Sequence, residues 1–137
     1  RLTVTPFAVP HRDEYSETVG FVVRGPSRSA LYLPDIDKWE RWSTPIEAVL
    51  QGVDLAFVDG TFYGPDELAG RAMSEVPHPF ITETVARLAP LPASERGKVH
   101  FIHLNHTNPA LDPHSDAAAA ITAAGMSVAV EGAIFPL

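Results

Sequence analysis

Cysteine is absent from the sequence. That excludes a disulfide framework, a thiolate zinc site and any thiol nucleophile. It fits a reducing compartment, and the cytoplasm is the expected location. Long apolar runs are missing as well. Nothing approaches the roughly 18 residues that cross a bilayer, so membrane insertion is not expected. Basic residues are scarce: ten Lys and Arg against 17 Asp and Glu give a formal charge of -7. A phosphate-tracking nucleic-acid surface needs a net basic face, and so does docking on an anionic membrane. Glycine is not arranged as a GxGxxG or GxxxxGK[ST] nucleotide loop. Neither a GxSxG nucleophile elbow nor an HExxH zinc motif occurs.

What is present is the material of one α/β domain. The 137 residues are 45% hydrophobic and 20% charged, enough for a single core spanning residues 1–137. Leu2 to Val9, Thr18 to Arg24 (TVGFVVR) and Ala30 to Leu33 read as three strands linked by turn residues, an antiparallel meander. Pro45 to Gln51 reads as a helix with Thr44 as its cap and Gly52 as its stop. Asp54 to Val58 is a buried strand. Pro79 to Leu88 reads as a helix, Val99 to Leu104 as a buried strand, and Ser115 to Ala124 as an Ala-rich helix that Gly125 ends. Met126 to Val130 is the last strand. Strands alternating with helices late in the chain imply layered α/β architecture with a mixed sheet.

In such sheets ligands gather at the carboxyl ends of strands. Four strand ends carry ligand-capable residues: His11; Asp35 and Asp37; Asp59; and the run His103-Leu104-Asn105-His106-Thr107-Asn108. His103 and His106 are an odd number of residues apart, so on an extended strand they face opposite sides. His106, just past the apolar run, is the one expected to point into a site as a metal ligand. Asp35 follows a strand and a proline and is its natural carboxylate partner, as ligand or as an orienting group. Asp37 fits an Asx turn better, and Asp59-Gly60 is a common turn pair. His78 and Glu83 are candidates for proton transfer if the helix start faces the strand mouths. His11, Asp59, His103 and Asn108 are candidates for substrate contact. His100 reads as a surface residue and His114 as part of a helix cap.

The phrases LPDIDKWERW, DGTFY, HPFITE and FIHLNHTNP together resemble the pyrroloquinoline quinone biosynthesis protein B family, and the similarity spans nearly the whole chain. That family is related to the metallo-β-lactamase-fold hydrolases, an αββα sandwich of two similar halves. The resemblance implies that the chain supplies the C-terminal half, with helices on one face of its sheet. It implies His106 as the last metal-ligand histidine and Asp35 as the carboxylate after the first strands of this half. His78 with Glu83 matches an HST-type motif in which Pro79-Phe80 replaces Ser-Thr, which counts against hydrolysis. The HxHxDH loop of the superfamily, reduced in the family to an Asp-His pair, and the cysteine-rich zinc site lie outside these residues.

Three functions follow from the resemblance. One is an iron(II)-dependent hydroxylase that oxidises the tyrosine-derived part of a Glu-Tyr precursor, with zinc as the other metal to consider. The second is a carrier that helps move the cofactor or its precursor to the periplasm. The third is a metal-dependent hydrolase. This chain alone is expected to hold a metal weakly and to be inactive by itself. It is also expected to self-associate or to join a partner that carries the first half, because half a sandwich leaves one sheet face bare.

Overall fold

Runs of β-branched and aromatic residues build the first part of the sheet. β1 (Thr3–Val9), β2 (Thr18–Arg24) and β3 (Ser29–Leu33) pair antiparallel, with Val9 opposite Thr18 and Phe21 opposite Tyr32. The computed structural model describes residues 1–68, 70 and 72–137. From β3 onward the pairing is parallel, through β4 (Leu55–Asp59), β5 (Val99–Ile102) and β6 (Ser127–Val128). The strand order is β1-β2-β3-β4-β5-β6. Parallel neighbours need crossovers. These carry α1 (Ile46–Gln51), then α2 (Ile81–Leu88) and α3 (Ala93–Arg96), then α4 (Asp116–Ala123).

This topology fixes where the functional edge lies. β1 and β3 are both antiparallel to β2, so they run the same way. β4 and β5 run parallel to β3. The carboxyl ends of β1, β3, β4 and β5 therefore share one edge of the sheet, although their loops are far apart in sequence.

Alternation sorts the strands into two faces. Leu31, Leu33, Ala56, Val58, Val99 and Phe101 point into the main core, where Ile46, Leu50, Ile81, Leu88 and Ile121 of the helices meet them. Tyr32, of the opposite parity, is exposed. Further along that face, His100 stacks on Phe57 with ring centroids 5.3 Å apart, and Phe135 covers both rings edge-on. Burial there pushes the His100 imidazole pKa down from its ordinary value. Arg87 of α2 donates to both oxygens of Glu47 on α1, at 2.7 and 3.1 Å, and holds that carboxyl below its usual range.

Several boundaries differ from the sequence expectation. α1 begins at Ile46, with Pro45 itself at the cap and no side-chain cap bond. α2 begins at Ile81 rather than Pro79. Its first turn is closed by Glu83, whose carboxylate accepts the Phe80 N–H at 2.8 Å. β6 is only two residues long. Single 3₁₀ turns at Trp39–Arg41, Met73–Glu75 and Pro109–Leu111, and the short α3, carry too few residues to show a period. Gly125 has φ +79°, a left-handed stop that α4 needs and that glycine takes without steric cost. Among the described residues, no helix is long and apolar enough to cross a membrane.

The ends of β4 and β5 are drawn close. Gly60 N–H donates to the Ile102 carbonyl at 2.9 Å, and a Cβ at Gly60 would lie 2.9 Å from the Phe101 Cβ. Only glycine fits that approach without a shift.

Candidate metal centre

Three donors from three strand-end segments meet at the shared sheet edge. His11 follows β1, Asp35 follows β3, and His78 closes the long segment after β4. One ligand-capable atom from each lies within 4.8 Å of the other two. The Asp35 carboxylate is central. Its Oδ1 is 3.8 Å from His11 Nε2, 3.7 Å from His78 Nδ1 and 3.6 Å from His103 Nδ1. Donors about 2 Å from one ion stand roughly 3–4 Å apart, so the His11 Nε2–Asp35 Oδ1 spacing suits a shared metal. The His11 and His78 rings lie 5.0 Å apart at 62°. His11 Nδ1 is buried and has no hydrogen-bond partner among the described residues.

The backbone holds these segments together. Asp37 N–H donates to the Pro10 carbonyl at 2.7 Å, joining the ends of β1 and β3. Asn105 N–H donates to the Thr61 carbonyl at 2.9 Å, joining the ends of β4 and β5. A small apolar cluster of Phe62, Met73, Val76 and Phe80 supports the segment that carries His78.

Asp59 organises the interior of the site. It is fully buried, and its Oδ2 lies 2.7 Å from His78 Nδ1. The same oxygen accepts the Ile36 N–H at 3.1 Å. Oδ1 accepts the Thr61 N–H at 2.9 Å and the Thr61 hydroxyl at 2.7 Å. A carboxylate so placed fixes the His78 proton on Nδ1 and leaves Nε2 with its lone pair. The Thr61 hydroxyl spends its proton on Asp59, so it accepts from His103 Nδ1 at 3.1 Å. His103 is thereby also set with its proton on Nδ1. These tautomers follow from the bonding pattern.

His103 departs from the sequence expectation. β5 stops at Ile102, and His103 has φ +63°, uncommon for a residue other than glycine. Alternation would bring His106 to the site only with extended backbone through Leu104, and β5 ends at Ile102. The left-handed turn breaks that alternation and delivers His103 to Asp35 and Thr61. His106 is exposed and lies outside the metal-capable group.

The other candidates fall into place around this centre. His11 contributes to the metal-capable group itself, beyond the substrate contact expected of it. Asn108 is buried and spent on the scaffold. Its amide donates to the Gly60 carbonyl at 2.8 Å, and its Oδ1 accepts the Ala110 N–H at 2.9 Å. Glu83 caps α2 and pairs with Lys38 at 2.7 Å, so its carboxylate faces the cap and that ammonium. Asp37 accepts the N–H of the next residue, Lys38, at 2.7 Å and pairs with Arg41, local contacts that are neither the Asx turn nor the helix cap expected of it. His114 is exposed beside the Asp112 turn.

Beside the group opens a cavity of about 330 Å³. His11 and His78 form one wall, Phe62, Val76 and Pro77 an apolar side, and Arg12 and Glu75 are charged lining residues. Arg12 and Glu75 were no part of the sequence expectation for the site.

Residues 1–130 match the family described as the beta-lactamase superfamily domain. Coenzyme PQQ synthesis protein B of Xanthomonas campestris pv. campestris (strain B100) is 30% identical over 150 residues, covering 96% of this chain and 49% of that protein. The protein of the same name from Methylobacterium sp. (strain 4-46) is 31% identical over 152 residues, with the same two coverages of 96% and 49%. The crystal structure of Zn(2+)-bound PqqB from Methylobacterium extorquens aligns with a TM-score of 0.78 at 24% identity, over 99% of this chain and 50% of that one. The fold likeness is strong, and the chain spans about half the length of the curated relatives it matches.

Proposed function

The chain belongs to the beta-lactamase superfamily domain family, and from that premise we propose that it contributes one half of a metal centre acting in pyrroloquinoline quinone biosynthesis. The observation that carries this reading is the convergence of His11, Asp35 and His78 on one point from three strand-end segments. Its similarity to coenzyme PQQ synthesis protein B supports the biosynthetic role.

The donor set fits a divalent metal. Two imidazoles and one carboxylate suit iron(II) and zinc alike. His11, Asp35 and His78 would hold the ion, with His103 beside them. With open positions, iron(II) would supply dioxygen chemistry for hydroxylating the tyrosine-derived part of a Glu-Tyr precursor. The chain's own residues prepare that site. Asp59 keeps the His78 proton on Nδ1, Thr61 does the same for His103, and Phe62, Val76 and Pro77 give one side of the cavity an apolar lining. We include in the proposal association with a further copy or with a partner carrying the first half, since the outward residues Val19 and Tyr32 remain exposed.

The test is turnover by the native protein that carries this chain. Supplied with iron(II), dioxygen, a two-electron reductant such as ascorbate and the Glu-Tyr-derived precursor, it should consume one dioxygen for each product heavier by one oxygen atom, the second oxygen leaving as water, read by mass spectrometry. Tight precursor binding without any product would favour the carrier. Product heavier by one water, formed with zinc and without dioxygen, would favour the hydrolase.

A further inference from the structure

We infer that Arg12 is the carboxylate-binding residue of the cavity beside the metal-capable group, and that it selects ligands with a single aromatic ring and an acidic group at one end. The inference rests on the reading of that cavity as the substrate pocket of the centre. It starts from adjacency. His11 is tied into the centre, so the next residue along the chain leaves from a fixed point, and Arg12 lines the same cavity as His11 and His78.

The second observation is charge. Among the described residues, Lys38, Arg41, Arg87 and Lys98 each meet a carboxylate, and Arg96 is spent on main-chain carbonyls, while of the other arginines without an ion pair, Arg1, Arg12, Arg24 and Arg28, it is Arg12 that lines this cavity. Arg12 is exposed and forms no ion pair among the described residues, although Asp13, Glu14 and Glu17 are close in sequence and Glu75 lines the same cavity. On a chain of net charge -7, an unpaired guanidinium that lines a cavity is available to a ligand. Its planar fork matches a carboxylate with two parallel hydrogen bonds.

The third observation is size and lining. A cavity of about 330 Å³ is at the small end of ligand sites, which run from roughly 300 to 1,000 Å³. It takes one ring and a short arm. Phe62, Val76 and Pro77 give the ring an apolar wall, and Thr61 adds a hydroxyl. A ligand held by its acidic end at Arg12 turns the rest of its body toward His11 and His78.

The experiment compares 4-hydroxyphenylacetate with its neutral amide, 4-hydroxyphenylacetamide, by NMR titration of the chain with and without zinc. A charge-assisted pair is worth about 10- to 100-fold in affinity. The metal-free chain should prefer the acid by that factor. Arg12→Gln should abolish the preference while zinc affinity stays within about twofold, and Arg12→Lys should keep part of it, because a point charge replaces a fork. Equal binding of acid and amide overturns the inference, as does a preference that survives Arg12→Gln. A preference that appears only with zinc bound also overturns it, because the ion then holds the carboxylate. An Arg12-dependent preference in a chain that binds no zinc sustains the carboxylate site and removes the metal reading instead.

Discussion

Asp59→Ala is expected to lower the melting temperature by about 10–20 °C. The carboxylate is fully buried and takes hydrogen bonds from Ile36 N–H, both donors of Thr61 and His78. Alanine leaves at least two buried N–H groups without an acceptor, each costing roughly 1–3 kcal/mol. It also frees the ends of β3 and β4 from their common anchor. The sum, about 3–5 kcal/mol, corresponds to that temperature shift in a domain of this size. Asp59→Asn should recover only part, since its NH2 group faces other donors. Thermal unfolding followed by circular dichroism checks this, and a drop below about 3 °C would mean that Asp59 does not organise the edge.

Asp35→Ala is expected to do the opposite: large loss of metal, small loss of fold. Among the described residues its side chain accepts no hydrogen bond; it is 34% exposed, yet it is the only anion of the three-residue group and lies 3.6–3.8 Å from three imidazoles. Outer-sphere partners of a metal are worth about 10- to 100-fold in affinity, so a ligand carboxylate should be worth roughly 100-fold or more. Zinc titration by calorimetry should show that loss while the melting temperature moves only a few degrees. A loss under about threefold would remove Asp35 from the centre.

These two carboxylates illustrate what the sequence makes legible. Strand ends can be read because Pro34-Asp35 and Asp59-Gly60 interrupt apolar β-branched runs, and the antiparallel-then-parallel order follows from where helices enter. Asp35 and His11 are visible for the same reason: each follows a strand directly. Thr18 to Arg24 matches its strand at both ends. The role of Asp59 as anchor is less visible, since Asp-Gly reads as an ordinary turn until the donors of β3 and of the His78 segment are brought against it. His103 and His106 mark the limit. Alternation holds only while backbone stays extended, and nothing in FIHLNHTNP announces a histidine at φ +63°. The segment from Gly60 to Pro77 has neither period, so the approach of His78 depends on the small cluster of Phe62, Met73, Val76 and Phe80. Arg12 is hidden by its neighbours, whose charges suggest a solvated loop.

The central claim is that His11, Asp35 and His78 hold the metal. The direct measurement is a zinc titration of the chain labelled with ¹⁵N-histidine, reading the ring nitrogens of all six histidines. The account predicts that the His11 and His78 resonances move together with the first equivalent, while those of His100, His106 and His114 stay in place. A first equivalent that moves His106 and leaves His11 and His78 unchanged would contradict it.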